Sequence, residues 1–158
     1  AVLPSGFTSK IKSMNAGDNE VEEAFAPMSV AMTLEDDIDI SRGDMIVRKN
    51  NQPEALQEFD VMLCWLNADS AKPRAKYQIM HTSNEKKAMI KEVVYKMNVN
   101  TFERDSEDNS LNMNGNASVK IRTTHRLLID SYRENRNTGS LILIDDQTKD
   151  TVAAGMIL

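Results

Sequence analysis

Few side chains in this sequence could serve as soft metal ligands or nucleophiles: Cys64, His81 and His125. None of the three stands at a zinc-ligand spacing from another, and no elbow motif surrounds either histidine. The spacing therefore supports neither a metal site nor a Ser-His-Asp or Cys-His arrangement. The carboxylates Glu35, Asp36, Asp37 and Asp39 lack the glycine and the closing glutamate of a calcium loop and read as a solvated turn. No GxxxxGK[ST] or GxGxxG phosphate cradle occurs. Arg42-Gly43-Asp44 matches an integrin-binding tripeptide, but a turn between strands asks for Gly43 on its own account. Asn116-Ala117-Ser118 fits a glycosylation acceptor, with the objection that the chain reads as cytoplasmic. These residues predict no catalytic group and no metal ligand.

One polar constellation stands out, at residues 130–139. It offers Asp130, Tyr132, Arg133, Asn135, Arg136, Asn137 and Thr138, and ends in Gly139. Arg133 and Arg136 carry planar forks suited to carboxylates or phosphates on a partner. As an interface the segment would use Asp130, Tyr132, Arg133, Asn135, Arg136 and Thr138 to dock another subunit. On the plainer reading Asp130 caps a turn and the arginines are solvated.

The elements that must carry this loop follow from composition and period. The chain has 158 residues, enough for one ordinary core or two small ones, and its apolar share of 41% contains no run long enough to cross a bilayer. Residues 1–10 lack the basic start and apolar block of a signal peptide. A net charge of -5 and a pI near 5.1 argue against nucleic acid as a partner. The single cysteine, Cys64, lies inside the apolar run FDVMLCWL and reads as a buried core thiol in a reducing, cytoplasmic setting.

Along the chain, the abrupt start at residues 2–6 looks truncated, with a strand end and no strand before it. Residues 7–14 have a weak period of two and 28–34 are strand-like, with a turn between them at 15–19. Residues 35–40 also have the strand period, 41–44 turn the chain, and 45–48 close it. Residues 49–58 read as a linker, which sets boundaries at 2–48 and 59–158. Residues 59–66 are apolar on both faces and predict a central strand, with a barrel interior on one side and a neighbouring domain on the other. A loop with Pro73 spans 67–74, and a short strand 77–82. Residues 85–97 permit two readings: Met89, Ile90, Val93, Val94 and Met97 fall at helical spacing, while Lys91, Val93, Tyr95 and Met97 alternate as in a strand. Residues 102–112 form a polar surface loop, Asn114-Gly115 signals a turn, and 118–124 alternate cleanly. Two apolar runs at 141–144 and 152–158, joined by polar residues 145–150, predict a closing β-hairpin. Turn signals recur roughly every ten residues, the rhythm of an all-β barrel or sandwich.

These segments also resemble a known family. EEAFAPMSVAMTLEDDIDISRGDMIV at 22–47 resembles the closing strands of the second domain of translation-factor-type GTPases. FDVMLCWL, KYQIMHTS and TGSLILIDDQTKDTVAAGMI resemble the third domain, as in elongation factor Tu. Within that superfamily the phrase built from Asp130, Tyr132, Asn135, Arg136, Thr138, Gly139, Ser140, Ile142, Leu143, Ile144 and Asp145 is similar to the large, GTP-hydrolysing subunit of bacterial sulfate adenylyltransferase. So are residues 36–44 and 95–101, and the match covers nearly the whole chain. The resemblance implies an all-β fold, a partial domain II barrel followed by a complete Greek-key barrel like domain III of elongation factor Tu, and selects the strand reading of 85–97. It implies that the GTPase domain, which would hold GTP and Mg, lies outside this sequence, as does any adenylylsulfate kinase domain. It further implies a non-catalytic scaffold and coupling role, with no cofactor in this segment and no membrane. The expected partners are the GTPase domain of the parent chain and the small subunit, expected to hold the adenylyl-transfer site. The rival readings are the C-terminal domains of an elongation-factor-type GTPase that binds aminoacyl-tRNA, against which the acidic, aromatic-poor composition counts, and an unrelated β adaptor.

Overall fold

Alternating apolar residues select strands throughout. The computed structural model describes residues 1–72 and 74–158 and contains strands and turns, with no helix among the described residues. Pro73, which the sequence reading places in the loop at 67–74, lies outside the described residues. The chain divides into two units, Ala1–Gln52 and Pro53–Leu158.

In the first unit β1 (Val2–Leu3) pairs antiparallel with β5 (Met45–Ile46), and β2 (Ile11–Ala16) lies between β3 (Asn19–Glu20) and β4 (Ala31–Leu34). Gly17, at φ 60°, makes the turn from β2 to β3 in a conformation that disfavours a side chain. Residues 35–40 are not a strand, despite their period. The chain leaves β4 at Leu34, and Asp36 is tied sideways to Ser9: its amide donates to Ser9 Oγ at 3.1 Å, and that hydroxyl donates to Asp36 Oδ2 at 2.7 Å. Ile40 is left exposed. At residues 41–44 the Asp44 amide donates to the Ser41 carbonyl at 3.0 Å and the Ser41 amide to Asp44 Oδ2 at 2.9 Å, with Gly43 at φ 103°. A turn accounts for this tripeptide.

The second unit contains β6 (Glu54–Trp65), β7 (Lys76–His81), β8 (Asn84–Met97), β9 (Arg104–Asp105), β10 (Asn116–Ile129), β11 (Ser140–Asp145) and β12 (Thr151–Ile157). All pairings are antiparallel, in the order β10, β6, β12, β11, β7, β8, and β8 pairs in turn with β10. The sheet therefore closes into a six-stranded barrel. Strands β7, β8 and β10 follow one another among the six barrel strands, with only the short β9 intervening, and β6 lies beside β10, which is a Greek key. β6 starts inside the segment read as linker, because Ala55 and Leu56 register with Leu128 and Leu127 on β10.

Period two fills the barrel. Phe59, Val61, Leu63 and Trp65 point inward from β6, Val119, Ile121 and Thr123 from β10, and Leu141 and Leu143 from β11. Each fully buried large aliphatic side chain contributes about 1.5–3 kcal/mol of transfer free energy. Within this chain the outer face of 59–66 is open: Asp60 is exposed, Leu66 is 43% exposed, and Met62 and Cys64 are half-buried on that face. Cys64 is thus not a core thiol, because Leu63 and Trp65 take the inward positions and alternation turns the sulfur outward. Leu111, within the segment read as a polar surface loop, is 2% exposed and joins the core.

Residues 85–97 are a strand, and the register shows why they look helical. Opposite Ser118 and Val119 of β10 stand Tyr95 and Val93, which skips Val94. Opposite Lys120 and Ile121 stand Glu92 and Ile90, which skips Lys91. Each skip is a β-bulge that inserts one residue and stretches the spacing of inward side chains from two to three. Ile90 and Val93 accordingly both pack on the core, three residues apart.

Candidate partner-binding face of the barrel

The loop at 130–139 is held by its own polar groups. Thr138 Oγ1 donates to Asp130 Oδ2 at 2.5 Å, and the Asn137 amide donates to Asn135 Oδ1 at 3.1 Å. The Tyr132 amide donates to the Ile157 carbonyl at 2.9 Å, and the Ile157 amide donates to the Gly139 carbonyl at 2.8 Å, which fastens the loop to the end of β12. His81, buried at the end of β7, places Nε2 2.6 Å from the Thr138 carbonyl and so acts as the donor there. A Cβ on Gly139 would lie 2.5 Å from the Tyr132 nitrogen and 2.7 Å from the Asn135 carbonyl oxygen, so only glycine fits.

This arrangement splits the six residues singled out from the sequence. Asp130, Asn135 and Thr138 shape the loop from within. Tyr132, Arg133 and Arg136 face outward, the two arginines exposed, with the Arg136 guanidinium 5.9 Å from the Tyr132 ring centroid. At that distance a cation–π contact contributes about 0.5–1 kcal/mol at an exposed site.

Beside the loop lies a shallow apolar face that alternation along the strands could have revealed. Two registered rows cross the outside of the barrel. Asn116, Cys64, Ala154, Ile142 and Met80 stand opposite one another on β10, β6, β12, β11 and β7. Ser118, Met62, Met156 and Ser140 form the next row. A groove of about 560 Å³ runs over this face, with Tyr132 and Asn137 of the loop on its border. Met156 is 42% exposed. Methionine side chains are unbranched and adapt to irregular surfaces, a property of binding faces that accept an apolar partner.

The other sequence candidates are placed elsewhere. His125 is exposed and has Nδ1 3.1 Å from Thr124 Oγ1. Asn116, Ala117 and Ser118 belong to β10, with Ala117 and Ser118 buried. Among the described residues no three His, Cys, Asp or Glu side chains come together to hold a metal.

Three carboxylates and one phenol are shifted. Lys96 Nζ donates to Asp108 at 2.6 Å and, with Ser110 assisting, holds that carboxyl far below the usual range. The amides of Thr148 and Gln147 lower Asp145, and the hydrogen bond from Lys91 lowers Glu58. Burial raises the Tyr77 phenol. None lies on the apolar face; they fix turns and ladders of the barrel.

A closed antiparallel barrel with this loop and face defines the class of the chain: it belongs to the family described as GTP-eEF1A C-terminal domain-like, whose model matches residues 58–158. Its relatives narrow the likeness. Over 99% of its length it is 47% identical to the bifunctional enzyme CysN/CysC of Mycobacterium tuberculosis, covering 26% of that protein. Over the same share it is 41% identical to sulfate adenylyltransferase subunit 1 of Sulfurovum sp. and 40% identical to that of Bacteroides thetaiotaomicron, covering 34% of each. The chain therefore spans 26% to 34% of the length of these relatives. In fold it matches sup35 complexed with GDP at a TM-score of 0.86 and 16% identity, over 99% of this chain and 39% of that one.

Proposed function

We propose that this chain is the β-barrel part of a sulfate adenylyltransferase subunit 1 and works there as a non-catalytic scaffold and coupling module. The observation that carries the reading is identity of 40–47% over 99% of the chain to proteins bearing that name or CysN/CysC. In such an enzyme sulfate is joined to the AMP of ATP with release of pyrophosphate, and GTP hydrolysis drives the unfavourable equilibrium. GTP and Mg would be held by a GTPase domain outside this sequence, and adenylyl transfer would fall to a small subunit. The barrel would contact one or both through the loop at 130–139 and the apolar face beside it, repacking that interface as the nucleotide state changes. The setting would be cytoplasmic.

The test is association. The chain, purified and immobilised, is offered the small subunit of a sulfate adenylyltransferase, with and without a GTPase domain supplied in trans. Capture in either arm supports the coupling role, and failure in both removes it.

A further inference from the structure

A second groove, sharing no residue with the apolar face, lies where β7, β8 and β10 run side by side. In register across these strands stand Lys76, Met89 and Arg122, all on the outer surface, and Lys87 stands two residues before Met89. The groove encloses about 300 Å³. Its floor is Met89 and Ala88, and its charged lining consists of Lys76, Lys87 and Arg122, with no carboxylate. This is a local excess of positive charge on a chain whose net charge is -5. On the neighbouring outer wall three lysines are matched: Lys120 lies 3.8 Å from both Asp60 and Glu92, Lys91 2.8 Å from Glu58, and Lys96 2.6 Å from Asp108. Around this groove the matching lapses. Lys87 reaches Asp146 only at 4.0 Å with its side chain 62% exposed. Glu58, which stands opposite Arg122, takes its close hydrogen bond from Lys91 and feels Arg122 only at longer range, and among the described residues no carboxylate comes within ion-pair distance of Lys76 or Arg122.

The rear wall is rigid. Gln57 Nε2 donates to the carbonyls of Thr123 at 3.0 Å and Thr124 at 3.2 Å, and Thr123 Oγ1 donates to the His125 carbonyl at 2.7 Å. These bonds fix the irregular stretch of β10 after Arg122, where the register with β6 jumps to Leu127. Bulges and fixed irregularities of this kind aim side chains away from the ladder.

We propose that this groove docks an extended acidic segment of a protein partner, one that sets an apolar side chain on Met89 and carboxylates against Lys76, Lys87 and Arg122. Charge complementarity selects the occupant, and the spacing agrees. Lys76 and Arg122 sit on strands two apart, about 10 Å between backbones, while alternate residues of an extended segment project to one side about 6.8 Å apart. Two long cationic side chains span that difference by leaning inward. Rim charges of this sort act chiefly on association rate and are weakened by salt.

The probe is a short fluorescein-labelled peptide alternating aspartate and leucine, titrated against the 158-residue chain by polarisation at low salt. A peptide with asparagine in place of aspartate and inorganic phosphate serve as comparisons. Binding of the acidic peptide is expected to weaken about threefold in each of Lys76→Gln and Arg122→Gln and about tenfold in the double variant. It should be unchanged in Lys12→Gln on the other unit. The Met89 methyl resonance should shift with the acidic peptide and not with phosphate. Equal binding of the asparagine peptide, insensitivity to the double variant, or displacement of the peptide by millimolar phosphate would each overturn the proposal, the last by making the groove a small-anion site. Circular dichroism of the variants separates lost binding from lost fold. Should Arg122→Gln unfold the barrel, Lys76→Gln with Lys87→Gln, both on exposed positions, gives the same reading.

Discussion

His81 Nε2 donates to the carbonyl oxygen of Thr138 at 2.6 Å, across 57 residues of chain, and so ties the end of β7 to the loop that leads into the closing hairpin. The imidazole is 1% exposed, so the bond is made out of water. Replacing His81 with leucine removes the donor and leaves a carbonyl with only a long 3.5 Å contact to the Asp130 amide. The expected loss is about 1–3 kcal/mol, read as a lower urea midpoint. Amide exchange should quicken at Tyr132 and Gly139 more than at the core strands.

Gly139 is required for close approach. In Gly139→Ala the methyl group meets backbone atoms of Tyr132 and Asn135, which cannot rotate away as a side chain could. A cost of about 1–3 kcal/mol is expected, greater than for Gly155→Ala, whose Cβ would meet side-chain methyls of Val61, Leu141 and Leu63. Chemical denaturation of the two variants side by side checks the order.

The two units should not unfold together. Outside residues 53–158 the buried apolar side chains among the described residues are Val2 and Leu3, whereas the barrel gathers a continuous core. The single tryptophan, Trp65, lies in that core with its ring 5.8 Å from Tyr77 and its Nε1 donating to the Asp69 carbonyl. Tryptophan fluorescence therefore follows the barrel alone. With rising urea, circular dichroism should begin to change before Trp65 emission shifts; coincident transitions would mean one cooperative unit.

Asp145 closes the last hairpin by accepting the amides of Gln147 and Thr148 at 2.8 and 2.9 Å, which depresses its pKa below the ordinary 3.8. A depressed carboxylate contributes stability that is present above the ordinary value and lost as pH falls through the folded one. Melting temperature should drop as pH is lowered from about 4. In Asp145→Asn, whose amide oxygen can still accept both bonds, part of that drop should vanish.

Arg136 is exposed and makes its contact with the Tyr132 ring. Arg136→Ala should therefore cost no more than about 1 kcal/mol of stability in urea, the worth of that exposed ring contact. It should also weaken association with a sulfate adenylyltransferase partner in calorimetry. Unchanged affinity would assign the arginine to solvent.

Much of the barrel is legible from period alone. Val119, Ile121 and Thr123 alternate inward as written, and the runs at 141–144 and 152–158 pair as the closing hairpin. The strand β8 is not legible in this way, because two bulges in its pairing with β10 turn a spacing of two into three, the same spacing a helix would give. Residues 35–40 mislead in the opposite direction: they keep the strand period, but a side-chain hydrogen bond to Ser9 takes Asp36 out of any ladder. Of the candidate site, the polar loop is visible in residue types. The apolar face beside it is hidden because Met62, Met80 and Met156 lie far apart in sequence and meet only when β6, β7 and β12 are brought round one barrel. Cys64 shows the same limit, since a continuous apolar run does not say which of its two faces is inside.

Pairing of β8 with β10 carries a consequence for recognition. Where two neighbours flank a barrel strand, as β6 and β8 flank β10 from Asn116 to Arg122, the main chain offers no free ladder onto which an incoming strand could add itself. Whatever meets the barrel over that stretch must be read by side chains projecting from its outer wall, and mutations that change binding without touching the ladder should be found there.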